Sequence, residues 1–160
     1  MALKLSQKER LLLEDQKNHE EICIKKYNEY ASRAQDPELK QLFSQYAQKE
    51  QQHLNTINQI LAGQVPSMNQ QQGQQSQQGM SQMPAQPSGQ SAMRNLNDEA
   101  LCTDMLMTEK YVSGTYDTVI FECGDANLRQ VLNHIQKEEQ QHGEGIFNYM
   151  KSHGMYNVPQ

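Results

Sequence analysis

Two short phrases in this chain carry side chains able to grip a metal ion. Glu50-Gln51-Gln52-His53 returns 89 positions later as Glu139-Gln140-Gln141-His142. On an α-helix, residues i and i+3 share a face, so each phrase turns one carboxylate and one imidazole the same way. One such pair is common on solvated helix faces and says little. Two copies, each preceded at the same distance by a further glutamate, Glu20 and Glu109, define six candidate ligands.

The repeat reaches beyond the phrases. With the same offset of 89, Asp36-Pro37-Glu38-Leu39-Lys40-Gln41 falls on Asp125-Ala126-Asn127-Leu128-Arg129-Gln130, and Tyr27 falls on Tyr116. The chain is therefore two related halves. Ser6 and Glu9 have the form of a capping box, opening a helix that can run to about Gln35. Its seam is Leu13, Gln16, Glu20, Cys23, Tyr27, Tyr30 and Ala34. Asp36 then caps a second helix with Pro37 at its first position, a connection so short that the two helices lie antiparallel. The second seam, Leu39, Leu42, Tyr46, Glu50, His53, Ile57 and Ile60, stops at Gly63. A third helix is expected from Asn97 or Asp98 to Gly124, with the seam Cys102, Met105, Glu109, Val112, Tyr116, Val119 and Cys123. Asp125 caps a fourth, whose seam is Leu128, Leu132, Ile135, Glu139, His142, Ile146 and Tyr149, running out at Gly154.

Every seam holds a glutamate at mid-length, so the periodicity predicts an all-α four-helix bundle of two antiparallel hairpins joined by a long crossover. One domain over 1–160 is expected: a first hairpin at 1–62, a flexible Gln-rich crossover linker at 63–96 and a second hairpin at 97–156. A Glu on each of two helices and a Glu-x-x-His on each of the other two is the ligand pattern of ferritin-like dinuclear carboxylate proteins. Four buried carboxylates repel one another and resist ionisation. Two divalent cations with both imidazoles neutral balance them. Oxygen and imidazole ligands without thiolate favour iron or manganese, with zinc able to substitute. Glu20 and Glu109 are expected as terminal ligands, with Glu50 and Glu139 bridging and His53 and His142 completing one sphere each. The competing possibility is a relic bundle whose polar core no longer loads metal.

Tyr27 and Tyr116, two turns beyond Glu20 and Glu109, suit either hydrogen-bonding support of the carboxylates or plain core packing. Gln16 is a weaker candidate support. Gly114, Gly143 and Gly145 near the same level serve close helix packing or the access of a small oxidant. His19 and His134 lie off the seams and are expected at the surface.

The 160 residues, with a formal charge of −5 and no block of basic residues, give no footprint for nucleic acid or anionic lipid. No run approaches membrane-spanning length, and the amino terminus has no signal-peptide pattern, so synthesis and retention inside a cell are expected. Cys23, Cys102 and Cys123 show no Cys-x-x-Cys spacing and read as reduced core residues. Leu11 and Ile24, off the seam, suggest a homodimer.

Met107-Thr108-Glu109-Lys110-Tyr111, Tyr116 onward through Asp125-Ala126-Asn127-Leu128-Arg129-Gln130-Val131-Leu132, Ile146-Phe147-Asn148-Tyr149-Met150 and Gly154-Met155-Tyr156 resemble the spore coat protein F family of endospore-forming bacteria. The resemblance is close in the second half and looser in the first. It implies a ferritin-like fold, synthesis in the mother-cell cytoplasm, a place in the spore coat and other coat proteins as partners. The six ligand positions are also similar to those of rubrerythrin-like and bacterioferritin-like proteins. That likeness implies oxidation of Fe(II) or removal of peroxide, whether within a coat component or in a dedicated peroxidase or manganese-catalase-like enzyme. Full rubrerythrins carry paired Cys-x-x-Cys iron ligands that this chain lacks. A purely structural coat bundle is the further alternative.

Overall fold

The computed structural model describes residues 2–67 and 95–160. Four helices follow in order: α1 (Gln7–Arg33), α2 (Pro37–Leu61), α3 (Leu96–Glu122) and α4 (Ala126–Ser152). The described residues hold no strand, and no described helix is long and apolar enough to cross a membrane. Most of the glutamine-rich stretch expected as a flexible crossover lies outside the described residues.

The helix ends follow from local chemistry. Ser6 and Glu9 exchange both bonds of the capping box, and Asp36 and Asp125 accept from the first-turn amides of α2 and α4. Asn95, rather than Asn97 or Asp98, caps α3, so that helix begins at Leu96. Gly63 and Gly154 end α2 and α4 with φ of 87° and 69°, values that favour glycine.

Contacts between helices fix the topology. Arg10 reaches the Leu61 carbonyl, and Leu3 N donates to Gly63 O at 3.1 Å, so the start of α1 lies beside the end of α2. Asp98, at the start of α3, accepts from the amides of Gln35 and Asp36 at the other end of α1. The end of α2 and the start of α3 therefore sit at opposite ends of the bundle, as two antiparallel hairpins joined by a crossover require. Each hairpin clasps the other's turn. Asp98 holds the α1–α2 turn, and Glu9, its counterpart in the repeat, accepts from Gly124 N in the α3–α4 turn at 2.8 Å.

Two apolar clusters fill the bundle on either side of a polar middle. Tyr27, Leu39, Phe43, Met105 and Ile146 belong to one; Leu13, Ile57, Tyr116, Leu132 and Ile135 belong to the other. The expected seams of α3 and α4 are buried throughout. In α2 the buried stripe takes Phe43 and Ala47, and leaves Leu42 and Tyr46 partly covered. In α1 Tyr30 is also half-buried, its hydroxyl drawn to Asp104 at 2.7 Å. The three cysteines are buried and free. Leu11 and Ile22 are exposed, and Ile24 is half-buried.

Candidate metal centre

The level between the two clusters is where the four glutamates and two histidines meet. α1 brings Glu20, α2 brings Glu50 and His53, α3 brings Glu109, and α4 brings Glu139 and His142; all six are buried. They form two overlapping groups, Glu20–Glu50–His53–Glu139 and Glu50–Glu109–Glu139–His142, and within each group the potential ligand atoms lie within 4.8 Å of one another. Glu50 and Glu139 are common to both.

Both imidazoles point Nδ1 inward. His53 Nδ1 is 3.0 Å from Glu139 Oε1 and 3.1 Å from Glu50 Oε2. His142 Nδ1 is 3.0 Å from Glu50 Oε1 and 3.4 Å from Glu109 Oε1. Each motif thus reaches across to the glutamate of the other. Tyr27 in α1 donates to Glu109 in α3, and Tyr116 in α3 donates to Glu20 in α1. The Gln16 Oε1 is turned to Thr115 at 3.2 Å and His19 Nδ1 at 3.1 Å.

Electrostatics mark the cluster as short of positive charge. Burial pushes the Glu50 carboxyl up to about 7, and the Glu20 charge adds to the shift. Burial and then the Glu139 charge push Glu109 up to about 8, and burial likewise raises Glu20. Burial also acts to raise Glu139, yet hydrogen bonds from Glu109, His142 and His53 leave it below its ordinary value. For the two histidines burial works downward, but the surrounding carboxylates hold both well above 6.5. Three buried oxygens, Glu20 Oε2, Glu109 Oε2 and Glu139 Oε2, have no hydrogen-bond partner among the described residues. Orphaned carboxylate oxygens in a buried site are costly, and a cation removes that cost. The donor set fits two divalent ions: four carboxylates against four positive charges, with neutral imidazoles.

Some participants escape a reading by seam. Glu138 places Oε2 2.6 Å from His53 Nε2, the nitrogen facing away from the cluster. Lys49 Nζ and His134 Nε2 hold its other oxygen at 3.4 and 3.2 Å. Burial alone would raise the Glu138 carboxyl, but the bond to His53 brings it down to about 2. His134 is thus half-buried and engaged rather than a free surface residue, as is His19, which packs edge-on against Tyr111. The signal for Glu138 was a break in the repeat, since its counterpart is Lys49. Cys23 also borders the cluster; burial, then the charges of Glu50, Glu109, Glu139 and Glu20, push its thiol up, so it stays protonated.

Of the three glycines, Gly145 has a clear packing role. A Cβ there would run into the Tyr46 hydroxyl, whose ring is stacked on His142. Gly143 would gain only an ordinary contact, and Gly114 faces open space. A groove of about 640 Å³ between α3 and α4, with Leu106, Ser113, Gly143 and Phe147 in its lining, reaches Glu109 and Glu139.

No curated protein and no solved structure matches the chain. The family model of the Coat F domain matches residues 97–159, a span that takes in α3 and α4 but not α1 or α2. The second hairpin, which supplies Glu109, Glu139 and His142, is thus similar to a Coat F domain.

Proposed function

We propose that the chain is a spore coat component whose ferritin-like bundle holds a dinuclear iron or manganese centre, with zinc able to substitute. The coat assignment is supported by the Coat F domain match. The metal assignment is carried by one observation: two four-residue ligand groups that share Glu50 and Glu139. In this reading Glu20, Glu50, His53 and Glu139 would hold one ion and Glu50, Glu109, Glu139 and His142 the other, with Glu50 and Glu139 shared.

Bound iron or manganese, unlike zinc, would supply the redox changes for oxidising Fe(II) with dioxygen or peroxide as the electron acceptor, or for reducing peroxide to water with electrons from an outside reductant. The protein's part is to hold the ligands. Tyr27 and Tyr116 fix the Oε1 atoms of Glu109 and Glu20. Glu138 fixes the His53 ring with Nδ1 inward. The apolar clusters above and below exclude water, which strengthens every charge interaction between them. Other coat proteins and a second copy of the chain are the partners that suit this reading, with exposed Leu11, Ile22, Met107 and Tyr111 available for docking.

A structural coat bundle with a vestigial site is the second reading, favoured by the hydrogen-bonding distances at which His53 and His142 themselves pair with Glu50 and Glu139. Metal content after anaerobic loading with Fe(II) or Mn(II) separates the two. About two ions per chain, lost in a Glu50→Ala, Glu139→Ala double variant, is the expected result. Negligible uptake by the unaltered chain would leave the structural reading. Consumption of peroxide by the loaded chain would then distinguish an enzyme from a metal-stabilised bundle.

A further inference from the structure

The two ligand groups are not equivalent, and two separate observations divide them the same way. The first is behind the imidazoles. Glu138 Oε2 lies 2.6 Å from His53 Nε2, while His53 Nδ1 faces Glu139 and Glu50. A carboxylate on the outer nitrogen keeps the ring proton there and leaves the inner lone pair for a cation. The repeat matches Glu138 to Lys49, whose ammonium has no acceptor to offer the His142 ring. His142 is oriented instead by stacking on Tyr46, with ring centroids 4.3 Å apart.

The second observation is access. The α3–α4 groove is lined by Glu109, which belongs to the second group alone, and by Glu139, which belongs to both; Glu20, Glu50, His53 and His142 do not line it. The group with the carboxylate-backed histidine thus meets the groove only through the shared Glu139. The group with the stacked histidine meets it through Glu109 as well.

The geometry points to a divided centre: an ion held by Glu20, Glu50, His53 and Glu139 that is retained, and an ion held by Glu50, Glu109, Glu139 and His142 that exchanges through the α3–α4 groove. Glu138 is the positioning residue that sets the difference, acting through His53. This inference rests on the dinuclear reading above. It assigns the exchange-linked part of any chemistry to the Glu109 side and a structural part to the Glu20 side.

Anaerobic calorimetric titration of the metal-free full chain with Mn(II) tests it, together with the rate of Mn(II) release to excess EDTA. The unaltered chain should take up one ion tightly and the second at least about tenfold more weakly, and should release one much faster than the other. Glu138→Gln keeps the side chain's size and removes its charge. It should weaken the tight step about 10–100-fold and bring the two release phases together. Glu138→Asp, which retains the charge, should recover part of the tight step. Two ions taken up in one step with a single release phase, or both steps weakened alike by Glu138→Gln, would overturn the divided centre and leave the dinuclear reading standing. No uptake by the unaltered chain would overturn both.

Discussion

The hydroxyl of Tyr27 in α1 donates to the Glu109 carboxylate in α3, and the repeat returns the same bond as Tyr116 to Glu20. Each helix of this pair therefore supports the buried glutamate of the other. Both tyrosines are fully buried, so each hydroxyl has been taken out of water and repaid with a carboxylate partner. Burial and the neighbouring Glu109 and Glu20 charges push the two phenols well above their ordinary range, which keeps them as donors.

Tyr27→Phe or Tyr116→Phe should therefore cost the metal-free chain about 1–3 kcal/mol, because each leaves a buried carboxylate oxygen without its donor. Urea unfolding of the two variants measures this. Unchanged midpoints would mean that the tyrosines act only as core aromatics.

Stability of the metal-free chain should fall as the pH rises from about 4.5 to about 8. Glu50 and Glu109 bind protons in the fold up to about 7 and about 8, against an ordinary 4.5, and the raised histidines act in the same direction above 6.5. The folded state holds the extra protons, so raising the pH removes their contribution. Below 4.5 the direction reverses, because Glu138 is held down to about 2 and must be protonated there. Thermal unfolding between pH 3 and 9 should give a maximum near the lower carboxylate range, about pH 4.5 to 5. Mn(II) displaces protons, so saturation with it should abolish the decline towards pH 8. A metal-free chain equally stable at pH 5 and 8 would contradict the assigned shifts.

Asp98→Ala should destabilise the bundle by about 2 kcal/mol, since it removes the acceptor for two turn amides, Gln35 N at 2.8 Å and Asp36 N at 3.0 Å. Glu9→Ala, which frees the Gly124 amide and breaks the capping box, should act in the same direction. Thermal melts of the two variants test whether the reciprocal clasps hold the hairpins together.

Gly145→Ala and Gly114→Ala should move stability in opposite directions. At Gly145 the new methyl meets the Tyr46 hydroxyl and would lie 3.1 Å from its Cζ, so the Tyr46 ring must shift from its present place on His142, at a cost of about 1–3 kcal/mol. At Gly114 nothing lies within 4 Å, and the better helix former should add up to about 1 kcal/mol. A pair of denaturant titrations decides it.

The architecture was legible because the seams and caps agree. Ser6, Asp36 and Asp125 announce three helix starts, and Gly63 and Gly154 mark two ends. The six-residue cluster was legible because an internal repeat doubled a weak motif. Other features depend on angles between helices that periodicity does not encode. Whether α2 buries Phe43 and Ala47 or Leu42 and Tyr46 depends on how far that helix turns towards its neighbour. Glu138 is adjacent to Glu139 yet reaches a histidine on another helix, a contact visible only once α2 and α4 are packed. Gln16 shows the converse: it lies on the seam one turn before Glu20, but Thr115 and His19 draw its oxygen elsewhere.

The central claim is that Glu20, Glu50, His53, Glu109, Glu139 and His142 together hold two ions. Anomalous diffraction at the manganese edge, from crystals of the Mn(II)-loaded full chain, tests it most directly. Two anomalous peaks between the four helices, one beside His53 and one beside His142, each within bonding distance of Glu50 and Glu139, are the predicted result. A map with no peak among these six side chains, from crystals grown with saturating Mn(II), would contradict it.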